Sequence, residues 1–94
     1  ELLNDPKKKV LIMGNHGVMI MGDSVADTFN RLYYFERAAA TYIQALQTGR
    51  PLRIMPDLVA ERVAAETDSY NGFAERHLEN LMAILDKEGS DYAN

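Results

Sequence analysis

The chain contains no cysteine. Disulfides, thiolate metal sites and cysteine nucleophiles are therefore excluded, and a reducing, cytoplasmic compartment is the expected setting. No apolar run approaches the ~20 residues that a membrane-spanning helix needs, and the opening ELLNDPKKKV lacks the order of a signal peptide, so no membrane partner is expected. A cationic surplus is missing as well. Ten Lys and Arg face fourteen Asp and Glu for a formal charge of −4, and only Lys7, Lys8 and Lys9 cluster, so nucleic acid is not an expected partner. Histidine is scarce, with two in 94 residues, and there is neither an internal repeat nor a low-complexity segment. The chain begins with Glu1, not Met, and its first residues carry no cap or strand pattern, so a processed or excised piece of a longer polypeptide is expected.

What is present suits a folded protein. An apolar share of 47% and a charged share of 26% match a globular domain, and 94 residues allow one small domain or part of one. Residues 1–9 form a leading segment in which Pro6 and the lysines resist helix and central strand. Within 10–21, the runs Val10 to Met13 and Val18 to Met21 are short, apolar and bounded by Gly14, Asn15, Gly17 and Gly22, which predicts two strands joined by a tight turn. Neither run alternates with polar residues, so both faces should be covered, and a larger sheet is implied.

The period changes at Gly22-Asp23-Ser24. Ser24 with Asp27 three residues on is a capping-box-like start, and Val25, Phe29, Leu32, Ala39, Ile43 and Leu46 form one apolar stripe that ends before Gly49, predicting a helix over 24–48. RPLRIMP, residues 50–56, reads as an extended connector. Pro56 and Asp57 open a second helix over 57–67. A third, over 73–88, places Ala74, Leu78, Leu81, Met82 and Leu85 on one side, and 89–94 is a tail.

His16, in the stretch MGNHGVMIMG of residues 13–22, carries the sharpest chemistry. An imidazole at a hairpin tip can bind zinc or a similar ion, held by backbone rigidity, and the following Gly17 leaves room for an ion or substrate. One histidine in a turn is more often structural or simply exposed, and a catalytic zinc takes three protein ligands. His77 has no suitable ligand at helical spacing and reads as a solvated or half-covered side chain. Glu36 falls where the stripe calls for an apolar residue, so a partly sheltered carboxylate is expected. It would either orient His16 and its turn, as Asn15 also could, or pair with a nearby arginine or water. Arg50 and Arg53 flank Pro51 and could hold an anionic substrate group, although such arginines more often cap a helix or contact a neighbour. Tyr33, Tyr34 and Tyr42 read as packing aromatics. Tyr92, in the tail, could donate a proton only if something else ordered it.

Residues 10 to 39, VLIMGNHGVMIMGDSVADTFNRLYYFERAA, resemble the class II aldolase and adducin head family. The resemblance rests on an apolar strand, the Asn15-His16-Gly17 turn, a second strand ending at Gly22, and a helix with Leu32 and Glu36-Arg37-Ala38-Ala39. Residues 48 to 63 continue the layout less distinctively, and beyond Ser69 no homology is argued. The Tyr-Tyr-Phe-Glu-Arg-Ala-Ala version is similar to the adducin-like bacterial members. The resemblance implies an α/β fold: the C-terminal portion of an α/β/α layered class II aldolase-like domain, here a β-hairpin followed by three helices. It implies a divalent metal, commonly zinc, with His16 matching the last of three histidine ligands. The His-x-His pair and the acidic residue that would precede it are not in this sequence.

The expected partners are further copies of the chain or a complementary N-terminal portion, with a small hydroxy-carbonyl substrate in the intact protein. The 94 residues alone are expected to be catalytically silent. An adducin-like, non-catalytic assembly domain is the alternative, and a small independent helical binding module is a third reading.

Overall fold

The computed structural model describes residue 5 and residues 8–93. Most of the expected leading segment and the last residue of the tail lie outside these residues. Strand β1, Val10–Met13, pairs antiparallel with β2, Gly17–Ile20, in the register Val10 with Ile20, Leu11 with Met19, Ile12 with Val18 and Met13 with Gly17. Three helices follow: α1, Val25–Gln47, α2, Asp57–Asp68, and α3, Phe73–Lys87. This is the α/β arrangement of one hairpin and three helices that the sequence pattern implies. β2 sits one residue earlier than the apolar run, because the three-residue turn ends at His16 and Gly17 already pairs.

A polar corner joins hairpin to helix. The Ser24 Oγ accepts from the Asp27 amide at 3.0 Å, while the Asp27 carboxylate reaches back to the Asp23 amide at 3.0 Å. This satisfies amides that the first helical turn would otherwise leave open. Arg31, one turn on, lies 3.3 Å from the Asp27 carboxylate and donates from Nη1 to the Met21 carbonyl at 2.6 Å. Gly22 is needed for closeness: a Cβ there would stand 2.5 Å from Thr28 Oγ1, 2.8 Å from the Thr28 amide nitrogen and 2.9 Å from Asp27 Oδ2. At the other end Gly49, at φ 70, takes the left-handed conformation just past the cap residue Thr48.

Helix α3 returns antiparallel in sequence order to pack on the N-terminal half of α1. Phe29, Asn30 and Tyr33 of α1 meet His77 of α3, with the Tyr33 and His77 rings edge to face at 4.6 Å. Ala74, Leu78, Leu81 and Leu85 are half-buried as the periodicity expects, but Met82, expected on the same side, is exposed, and Val25, placed on the core stripe of α1, is 80% exposed. The face that α3 covers is offset from that stripe by one residue, onto Ala26, Asn30 and Tyr33.

Coverage is otherwise thin. Ala26, at 9% exposure, is the one buried apolar residue among those described, and the hairpin's Ile12, Val18 and Met19 remain exposed. The expectation that both strand faces are covered is therefore not met by this chain, whose described residues form a sheet of two strands.

Substitution of Gly22 by alanine should force the corner apart and cost about 1–3 kcal/mol. Ser24→Ala should cost about 1 kcal/mol through the lost cap. Urea denaturation followed by circular dichroism reads both. An unchanged midpoint for Gly22→Ala would show that the close approach to Thr28 does not constrain the fold.

Candidate functional site

The turn that presents His16 is fixed by backbone alone. The His16 amide donates to the Met13 carbonyl at 3.2 Å, and Asn15 takes φ 64, the left-handed region that asparagine tolerates better than most residues. Gly17 follows at φ 120, a conformation that strains any side chain, and nothing lies within 4 Å of where its Cβ would be. The imidazole is exposed at the tip. Asn15 thus serves through its backbone, and its side chain makes no hydrogen bond to His16.

Glu36 needs correction. It is exposed, and its carboxylate has no hydrogen bond or ion pair among the described residues. The sheltering expected from its place on the stripe fails because, among the described residues, only the end of the hairpin packs on that side of α1. Together with Val18, Phe29 and Leu32 it lines an open groove of about 690 Å³ that runs from α1 to Gly17, the residue after His16. The groove brings a carboxylate toward the hairpin's turn end, above an apolar floor.

The arginines lie elsewhere. The Arg50 amide donates to Thr48 Oγ1 at 3.2 Å, so this residue belongs to the end of α1, and Arg53 borders a different groove with Tyr34 and Tyr42. Neither Arg50 nor Arg53 shares the groove with Glu36, whose arginine neighbour there is Arg37. Tyr42 is 58% exposed, against its reading as a packing aromatic, because α3 reaches only the first half of α1.

His77 is half-buried. Its Nδ1 is 2.8 Å from Asn30 Oδ1, and its ring stands against Phe29, Tyr33 and Tyr34, so it is a packing residue of the α1–α3 contact. With the amide oxygen as acceptor, Nδ1 carries the proton in this arrangement. Tyr92 is held too: its hydroxyl donates to Asp86 at 3.0 Å, which ties the tail to the last turn of α3. Sequence reasoning missed Arg31, whose spacing of four from Asp27 was the available signal.

No group of three or more histidine, cysteine, aspartate or glutamate side chains suited to a metal ion occurs among the described residues. No helix among them is long and apolar enough to cross a membrane.

Comparison with known proteins sharpens this picture. Residues 1–43 match the family described as Class II Aldolase and Adducin N-terminal domain. Over 93 residues, 94% of the chain, the sequence is 27% identical to a Caulobacter vibrioides protein named "Putative aldolase class 2 protein". The chain spans 35% of that protein's length. No solved structure gives a significant match. The resemblance read from residues 10 to 39 is borne out, and similarity to this relative runs well past Ser69, further than the motifs alone supported.

The Tyr92–Asp86 contact has a pH signature. The hydrogen bond to Asp86, then desolvation, then the carboxylate's charge raise the phenol above its ordinary value. The folded state therefore favours the neutral phenol, and any stabilisation from it is present below the ordinary tyrosine range and lost as pH climbs through the raised value. Asp86→Asn should return Tyr92 to the ordinary tyrosine range, read as a change from wild type in an ultraviolet titration. Identical titrations would remove Tyr92 from α3.

Proposed function

We propose that this chain, whose hairpin and most of whose first helix match the class II aldolase and adducin family model, is a segment of a metal-dependent aldolase- or epimerase-like enzyme for a small hydroxy-carbonyl substrate. In this reading His16 is one ligand of a divalent ion, zinc foremost. The observation that carries it is the placement of His16: an exposed imidazole on a turn whose backbone is fixed by the Met13 carbonyl and by Asn15 and Gly17. A ligand on a rigid turn loses little freedom on binding, unlike one on a mobile loop.

The described residues do not complete such a site. A catalytic zinc takes three protein ligands, and this chain brings one imidazole to the hairpin tip, with His77 engaged 2.8 Å from Asn30 on the α1–α3 contact. The remaining donors belong to polypeptide beyond these 94 residues, either the rest of a longer chain or a complementary piece. Once bound, the ion would polarise a carbonyl oxygen and stabilise the negative charge that develops there. The part left to this chain's own residues is to hold the His16 ring at the turn and to offer Glu36 and the apolar groove beside it. No catalytic step is assigned to the chain alone.

A non-catalytic assembly domain is the second reading, favoured by the apolar side chains that α1 and α2 leave exposed, among them Ile43, Leu46 and Val63. The two readings part on metal.

Titrated with zinc, the 94-residue chain should show no saturable tight uptake, since one imidazole falls far short of the roughly 10–16 kcal/mol of a complete structural site. The same segment joined to the rest of its domain should take up one ion per chain and lose it on His16→Ala. Metal content unchanged by that substitution would overturn the assignment, and no uptake by the joined protein would favour the assembly domain.

A further inference from the structure

Asn71 and Gly72 join α2 to α3, and both are exposed. The Asn71 side chain makes no hydrogen bond among the described residues, and the Gly72 amide donates to nothing among them either. Gly72 stands just before α3 at φ 73, with no side chain of its own to crowd the peptide bond. A loose carboxamide therefore lies beside an unshielded backbone nitrogen, the proximity that an intramolecular reaction needs.

The other asparagines among the described residues are held. Asn15 precedes His16, whose amide donates to the Met13 carbonyl at 3.2 Å. Asn30 lies inside α1 with its side-chain oxygen 2.8 Å from His77 Nδ1, and Asn80 lies inside α3. The amides of Arg31 and Leu81, which follow them, are taken up by the helical ladder and cannot turn toward the side chain. Among the described residues Asn71 alone has both reacting groups unengaged.

We propose that Asn71 is a site of spontaneous covalent modification, attacked by the Gly72 nitrogen and ending as a mixture of aspartate and isoaspartate. A base takes the Gly72 amide proton, and the nitrogen's electron pair forms a bond to Asn71 Cγ. The bond from Cγ to the side-chain nitrogen breaks, that nitrogen takes up a proton and leaves as ammonia, and a succinimide ring remains. Water then opens the ring. Cleavage of the new bond at Cγ gives aspartate, whereas cleavage between the Gly72 nitrogen and the Asn71 main-chain carbonyl gives isoaspartate.

Both products add a carboxylate to a cleft of about 800 Å³ between α1 and the α2–α3 connection, where Asp68 and Glu75 already lie. Isoaspartate does more, because it lengthens the main chain by one carbon just before Gly72. Phe73 follows at once, its ring centred 6.3 Å from that of Tyr34 on α1 and 6.5 Å from that of Tyr70. The added carbon moves the start of α3 off Tyr34 and weakens the contact between the two helices.

The test is to age the 94-residue chain at mildly alkaline pH, in buffer and in concentrated guanidinium chloride, and to follow its asparagine peptides after digestion. Mass spectrometry reads the exchange of amide for carboxyl, and chromatography separates isoaspartyl from aspartyl peptides. In the folded chain Asn71 should convert at least ~tenfold faster than Asn15, Asn30 or Asn80, and within ~threefold of its own rate in denaturant. The rate should rise with pH, since base must remove the amide proton. Asn71→Gln, whose longer side chain closes a ring far more slowly, should leave position 71 unaltered over the same period. The isoaspartyl chain, resolved by ion exchange, should unfold at a lower urea midpoint than Asn71→Asp. Conversion at Asn71 slowed ~tenfold or more by folding, or no faster than that at Asn15, would overturn the proposal. Equal midpoints for the isoaspartyl chain and Asn71→Asp would overturn the effect on α3.

Discussion

The corner between β2 and α1 is the constraint on which the described structure turns. One carboxylate, Asp27, meets both the Asp23 amide and the Arg31 guanidinium, and Arg31 in turn holds the last carbonyl of the hairpin at Met21. Each contact is modest, since partly exposed ion pairs contribute roughly 0–1 kcal/mol. Their value is geometric. They set the direction in which the hairpin leaves α1, and so decide which side of the helix faces Gly17 and the turn carrying His16. The absence of a side chain at Gly22 is what lets the strand come that close.

Away from this corner the chain buries little. Its accessible surface is 8354 Å² and its radius of gyration 16.2 Å. A self-contained globule of this mass would expose roughly 5,500 Å² and, at this length, have a radius near about 12 Å. The difference lies in particular places: Ile12, Val18 and Met19 of the hairpin, the far half of α1 and the whole of α2. Apolar side chains there have been given helix and strand but not cover. This thin cover is why the groove beside the hairpin is open and why Glu36 stands in it without a partner among the described residues.

Much of the fold was legible from residue order. The helix limits followed from local chemistry: Ser24 and Asp27 at one start, Pro56 and Asp57 at the next, glycine at the stops. The turn geometry that presents His16 was equally local, since Asn15 and Gly17 are residue types that accept positive φ. The site was less legible. Glu36 was placed on the core side of α1 by its period, but period says only which residues share a face, not whether anything lies against it. Tyr42, Ile43 and Leu46 failed the same test. His77 gave too little from sequence because its neighbours Asn30 and Tyr33 lie more than forty residues earlier.

The sequence by itself determined the elements, their ends and the exposed imidazole turn, because caps, prolines, glycines and hydrophobic period act over a few residues. Only the tertiary structure decided that α3 lies on the first half of α1, that Arg31 braces the hairpin, and that Arg53 and Glu36 border different grooves. Those outcomes depend on which distant surfaces meet, a balance of burial and shape that no short window of residues contains.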